Sequence, residues 1–254
     1  PTRRSSDLDF TTMCGGMTQI LGKALAETDF VNDINPLRRF EKKEFILGTD
    51  AGPVPIKVNI KDNEKTNIVT DMKVFVEECY DIGVNKLNIG GIEATKVGKF
   101  LVINDRELCE GYNHLDRVLL DDAKKEVIGN LLDEFDDKGL LNHKIINSSL
   151  YDLSPTSDES FGRATFPHRA PISPVEPACG TGIVTVGIAM AEQGELNPNS
   201  ENISLRFETG GSPDLGGPEI TWLDMEIEDG RVLGASFSHS RVDILAKGSL
   251  NIWF

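Results

Sequence analysis

The chain states one short pattern twice. "MCGGMTQILGKALAE" (Met13–Glu27) and "ACGTGIVTVGIAMAE" (Ala178–Glu192) agree, Cys on Cys, at Cys14/Cys179, Gly15/Gly180, Gly22/Gly187, Ala24/Ala189, Ala26/Ala191 and Glu27/Glu192. Each copy is a cysteine and a glycine leading straight into a helix of mostly small side chains. A glycine in mid-helix costs about 1 kcal/mol against alanine. Having one at the same place in both helices points to close packing of a sheet round each, rather than to chemistry at Gly22 or Gly187.

The repeat continues past the helices. "FILGTDAGPVPIKVNIKDNEKTNIVTDMKVF" (Phe45–Phe75) and "NISLRFETGGSPDLGGPEITWLDMEIEDGRVLGASF" (Asn202–Phe237) both read as strand, Gly-rich turn, strand, polar turn, strand. "PIKVNI" and "ITWLDMEI" alternate apolar and polar residues, the pattern of half-buried antiparallel strands. "DAG", "KDNEK" and "EDGR" supply the turns. Between the halves, Asp121–Gly139 reads as a polar helix, His143–Leu153 as strand and Ser154–Ser160 as loop. The fold class expected is α+β, a duplicated two-domain chain with each half a mostly antiparallel rolled sheet around a central helix. The halves divide as residues 1–104 and 105–254, with the last strand free to return to the first half.

By this logic residues 105–178 supply the strands ahead of the second cysteine, whereas only residues 1–13 precede the first. The first half is therefore expected to lack its opening strands. "PTRRSSDL" (Pro1–Leu8) is also what a common short-read sequencing adapter translates to, and it is set aside from the fold reasoning.

The net charge of −15 gives no basic face for phosphate, which argues against nucleic acid. No apolar run approaches the roughly 20 residues of a membrane span. The four cysteines, Cys14, Cys79, Cys109 and Cys179, form no CxxC pair, which argues against zinc and a disulfide framework and for a reducing cytoplasm. No metal is expected, since none of His114, His143, His168 and His239 lies at ligand spacing from another.

A thiol just ahead of a helix meets unpaired N–H groups and the positive end of the helix dipole, which favour its thiolate. The N–H groups of Gly15, Gly16, Gly180, Thr181 and Gly182 can hold a carboxylate in the same way, with glycine allowing close approach; Thr18 adds a hydroxyl. If a pseudo-twofold axis brings the two helix starts together, Cys14 and Cys179 flank one molecule. One thiolate takes a proton from carbon and the other thiol returns one. Cys79 and Cys109 have no such setting and read as structural.

These residues resemble a known group. "ACGTG" (Ala178–Gly182) and "MCGG" (Met13–Gly16) resemble the two catalytic-cysteine motifs of the diaminopimelate epimerase-like superfamily, which includes proline racemase and the PrpF-like methylaconitate isomerases. "TDAGPVPIKVNI" and "NIVTDMKVF" are similar to the strands after the first motif. The resemblance implies a cofactor-independent isomerase, epimerase or racemase with Cys14 and Cys179 opposed in a cleft, acting on a small carboxylic acid, and it admits a homodimer. Cys14-Gly15-Gly16-Met17 departs from the Cys-Gly-Asn-Gly of diaminopimelate epimerase. Ala170 and Pro171 stand where that enzyme has Glu-Arg, and only His168 and Arg169 lie nearby. "CGGMT" (Cys14–Thr18) and the segment Ala235–Ile252 are closer to the PrpF-like branch, which implies a role for Arg241 at the substrate, whereas "ACGTG" (Ala178–Gly182) is closer to the epimerase branch.

The sequence leaves the reaction open between an allylic proton shift in an unsaturated acid and epimerisation of an amino or hydroxy acid. Two other classes remain: a thiol hydrolase or transferase using Cys179 with His168, and a non-catalytic binding protein of the same fold. "GGSPDLGGP" (Gly210–Pro218) lacks the spacing of a phosphate-binding loop and reads as a long hairpin loop. Trp222 and Trp253 read as core.

Overall fold

The computed structural model describes residues 15–27, 44–49, 52–60, 66–89, 91–115, 122–140, 147–167, 179–197, 199–209 and 219–240. Among them the chain runs α1 (Gly15–Glu27), β1 (Glu44–Thr49), β2 (Gly52–Ile60), β3 (Thr66–Asp71), α2 (Lys73–Ile82), β4 (Val84–Ile89), β5 (Ile92–Val97) and β6 (Phe100–Asn104). It continues α3 (Asp105–Gly111), α4 (Asp122–Asp137), β7 (Asn147–Asp152), β8 (Gly162–Thr165), α5 (Gly180–Gln193), β9 (Asn202–Thr209), β10 (Glu219–Glu228) and β11 (Arg231–His239).

The strands form one sheet in the order β1-β2-β3-β11-β10-β9-β8-β7-β6-β5-β4. The pairing is antiparallel except at β6–β7 and β8–β9. The two repeated triplets lie back to back. β3 meets β11 antiparallel at Thr70–Phe237 and Asp71–Ser236, and Met72 N–H extends the ladder to Ala235 O at 2.7 Å. β1-β2-β3 and β9-β10-β11 therefore appear in mirrored order about that seam, as a local twofold would place them.

Burial follows the alternation. β10 runs from buried Thr221 through Leu223, Met225 and Ile227, with the residues between them exposed. α5 is different, because its residues Gly180–Met190 are buried on every side. A helix apolar all round is a core helix, which is why its side chains are small. One core joins α5 and α2 to β2, β3, β10 and β11; a second packs α3 and α4 on β5, β6 and β7. β6 and β7 are covered on both faces and are buried almost throughout. Across the second core Lys124, 1% exposed, donates to both oxygens of Asp105 at 2.9 and 3.1 Å.

The mid-helix glycines pack as expected. A Cβ on Gly22 would sit 2.6 Å from Ile68 Cγ2, and one on Gly187 would sit 2.5 Å from Met225 Sδ. Two local readings are corrected. The segment "MKVF" does not prolong β3: the strand ends at Asp71 and α2 begins at Lys73, burying Phe75, Val76 and Cys79 at helical spacing. Trp222 is not core. It faces outward, 37% exposed, under the Arg206 guanidinium. Trp253 lies outside the described residues, as does the segment 210–218.

Gly22→Ala is expected to lower stability by about 1–2 kcal/mol, because the stiff β-branched Ile68 cannot yield cheaply and the clash outweighs the gain in helix propensity. Gly129→Ala on α4, where an added Cβ meets nothing within 4 Å, is expected to raise it by up to about 1 kcal/mol. Denaturant unfolding of the two variants measures the contrast.

Candidate active site

The two repeated helices touch at their first residues. A Cβ on Gly15 would lie 2.8 Å from Gly180 Cα, 3.1 Å from Thr181 N and 3.0 Å from Phe237 Cζ. A Cβ on Gly180 would overlap the ring of Phe237. Phe237 projects from β11 at the seam, so one ring is seated against both helix starts. Only glycine at both positions permits this approach.

Cys179 is the N-cap of α5. It is extended at φ −125° and ψ 112°, 5% exposed, and its Sγ accepts from Gly182 N–H at 3.2 Å. Thr181 Oγ1 lies 3.2 Å from the same sulfur. A cysteine here takes the place of the serine or aspartate that normally caps a helix, and a backbone N–H with a neighbouring hydroxyl suits a sulfur that carries charge. Gly182 N–H is committed to the sulfur. Gly180 and Thr181 open the helix, where N–H groups find no carbonyl within it.

Gly15 is buried and Gly16 half-buried. Thr18, 1% exposed, turns its hydroxyl to Gly15 O at 2.6 Å and to Thr70 Oγ1 at 2.9 Å. Cys14, the residue immediately before α1, lies outside the described residues, as do His168, Arg169, Ala170, Pro171 and Arg241. Cys79 sits in the main core, where burial and then the Glu78 carboxylate push its thiol far up and keep it protonated. Cys109 is buried against Asp105, its Sγ 3.9 Å from Oδ1. Among the described residues no group of His, Cys, Asp and Glu could hold a metal ion, and no helix is long and apolar enough to cross a membrane.

Sequence reasoning missed Phe237, Gln19 and His239. His239 stands two residues beyond Phe237, its ring centroid 5.1 Å away, and its Nδ1 pairs with Thr221 Oγ1 at 2.8 Å. Burial pulls its pKa down to about 4.

No family model matches the sequence, and no curated protein does. Solved structures match in shape. A probable proline racemase from Agrobacterium radiobacter K84, with bound carbonate, aligns over 90% of this chain and 64% of its own, at TM-score 0.50 and 13% identity. The chain has the diaminopimelate epimerase-like fold. Two more structures align at lower scores. A phenazine biosynthesis protein of the PhzF family from Bacillus anthracis is matched over 90% of this chain and 73% of its own (TM-score 0.48, 14% identity). A hydroxyproline epimerase from Agrobacterium vitis, with bound trans-4-hydroxy-L-proline, is matched over 83% and 60% (TM-score 0.47, 13% identity). This chain thus spans 60–73% of the lengths of these three structures.

Two measurements test the site as built. Gly180→Ala is expected to cost about 2 kcal/mol of stability, and less in a Phe237→Leu background, with a coupling of about 1 kcal/mol in a double-mutant cycle. For His239 the unfolded chain, with a pKa near 6.5, binds the proton before the folded one does. Its contribution is complete above about pH 6.5 and is lost as pH falls towards 4, an effect on the order of 3 kcal/mol. His239→Gln is expected to remove that part of the acid destabilisation, measured as the difference between the two proteins' stability–pH curves.

Proposed function

We propose that this chain is a cofactor-independent isomerase that moves a proton at the carbon beside a carboxylate. The observation that carries the reading is the contact of the two repeated helix starts, Gly15 against Gly180 and Thr181, each directly following a cysteine in the chain. Two like helix N-termini aimed at one place form a strong anion site. In this reading the N–H groups of Gly15, Gly16, Gly180 and Thr181 hold the substrate carboxylate. They also stabilise the charge that grows on it when the neighbouring carbon loses its proton.

Cys14 and Cys179 are then the acid–base pair. One sulfur, as thiolate, takes the proton from carbon, and the electron pair delocalises into the carboxylate. The other thiol delivers its own proton to carbon from the opposite side. No bond to sulfur persists, and the two cysteines end with exchanged protonation. Gly182 N–H and the Thr181 hydroxyl support Cys179 while it carries charge. Thr18 belongs to the site as part of the first turn of α1. The fold shared with the probable proline racemase agrees with this chemistry, and the substrate class is a small carboxylic acid.

Incubation in D₂O with unsaturated, amino and hydroxy acids, followed by NMR, tests the reading. Deuterium is expected to enter carbon beside the carboxylate of the responding acid. Cys14→Ser and Cys179→Ser are each expected to slow it by roughly 10²–10⁴-fold. Exchange indifferent to Cys14, with an acyl group trapped on Cys179, would overturn the isomerase in favour of a thiol hydrolase.

A further inference from the structure

Two side chains beside the meeting of α1 and α5 end in buried acceptors that have no partner among the described residues. Gln19 is 1% exposed and His239 8% exposed, and no described residue gives a hydrogen bond to Gln19 Oε1 or His239 Nε2. Buried polar atoms are almost always paired, so two orphans at one place call for an explanation.

Their hydrogen bonds show what each atom offers. Thr18 Oγ1 donates to Gly15 O at 2.6 Å, so Thr70 Oγ1, 2.9 Å away, donates to Thr18. Thr70 in turn accepts from Gln19 Nε2 at 2.7 Å, which leaves Oε1 as the free end of the amide. A second relay has the same form. Thr209 Oγ1 donates to Glu219 O at 3.4 Å, Thr221 Oγ1 donates to Thr209 at 2.9 Å, and Thr221 accepts from His239 Nδ1 at 2.8 Å. This order of donors assigns the ring proton to Nδ1, so that Nε2 presents a lone pair. Burial keeps this ring neutral above about pH 4. Each relay starts at a backbone carbonyl, passes through two threonines and ends in an unpaired acceptor.

Both ends flank Phe237, the ring seated on the two helix starts. Thr70, which holds Gln19, is the register partner of Phe237 across the seam, and the His239 ring is 5.1 Å from that of Phe237. Thr18 and Gln19 of α1 both face inward.

We propose that Gln19 and His239 set specificity at this site by accepting hydrogen bonds from an N–H or O–H that the ligand carries beside its carboxylate. The proposal rests on the reading above that the helix starts hold that carboxylate. The helix starts donate and the two orphans accept, so the complementary ligand is an acid with a donor on the adjacent carbon, an α-amino or α-hydroxy acid. An unsaturated polycarboxylic acid would set further acceptors against Oε1 and Nε2, and the reaction that follows is epimerisation rather than an allylic shift.

Calorimetric titration with acids that share a skeleton tests this: butyrate, 2-hydroxybutyrate and 2-aminobutyrate, then succinate, malate and aspartate, with cis-aconitate as the unsaturated acid. The wild type is expected to bind the hydroxy or amino member at least about 30-fold more tightly than its donor-free analogue, because a site built round a hydrogen bond rejects the ligand that lacks it. Which member wins separates O–H from N–H. Gln19→Leu and His239→Phe are each expected to lower that preference about 10-fold by weakening only the donor-bearing acid. His239→Gln, which keeps an acceptor, is expected to recover part of it. Equal binding of donor-bearing and donor-free acids by the wild type would overturn the proposal without needing any variant to fold. A preference unchanged in His239→Phe, or a loss shared equally by both acids, would overturn it also. Failure to bind any of these acids would overturn the carboxylate reading itself, and the specificity proposal with it.

Discussion

The packing of one aromatic ring against two helix starts organises this molecule. Phe237 occupies the space that a side chain on Gly15 or Gly180 would need, and the two backbones approach closely enough that a Cβ on Gly15 would crowd the Cα of Gly180. Remove either glycine and the ends of α1 and α5 separate. Everything that makes the place chemically unusual depends on that contact, because two helix dipoles add their effect only when their positive ends face the same small volume. At Cys179-Gly180 the repeat thus meets two requirements in one dipeptide: a sulfur at the cap and the absence of a side chain just after it.

The seam of the sheet holds that contact in place. β3 and β11 meet at Thr70–Phe237 and Asp71–Ser236, and the ladder gains one further bond at Met72. Phe237 stands on this short junction and is fixed from below by the two triplets of strands. From above it is covered by α1, which lies on β2 and β3 through Gly22, and by α5, which lies on β10 through Gly187. A helix buried all round, as α5 is, has no solvent face on which to adjust, so its N-terminus is set by the sheet to within a side-chain contact.

Much of this was legible in the sequence. The two Cys-Gly copies gave the helices, the alternation in Phe45–Ile60 and Asn202–Phe237 gave the strands, and the resemblance gave the fold. α2 was not legible: it follows β3 after one residue, its N-cap Met72 has no capping side chain, and its apolar residues Val74, Phe75 and Val76 read equally well as the end of a strand. Trp222 misled because a tryptophan in an alternating strand reads as core. Its register partner on β9, however, is Arg206, and an aromatic face can rest under a guanidinium in water. His239 and Gln19 carried no signal of their own. A histidine in "FSHS" is a polar residue near a strand end, and a glutamine in a helix is ordinary. Their burial appears only when β9, β10 and β11 are laid side by side and α1 is rolled onto β3.

The internal repeat also separates what is shared from what is not. Of the positions that agree between the copies, Gly15/Gly180 and Gly22/Gly187 pack the two helices, and in the proposed reading Cys14/Cys179 serve both faces of a bound molecule alike. That equivalence suits the proposed proton transfer, which must run in both directions. It cannot orient the proposed ligand, an acid whose carboxylate and donor-bearing carbon are not related by a twofold axis. Orientation has to come from positions where the copies differ. In the register of the repeat, Thr18 and Gln19 correspond to Ile183 and Val184, so the polar relay that ends in Gln19 has no counterpart on α5. The relay that ends in His239 runs instead through Thr209 and Thr221 across the second triplet of strands. The duplicated residues therefore suit the chemistry common to the two halves. The residues that broke the duplication are the ones able to tell one end of a ligand from the other.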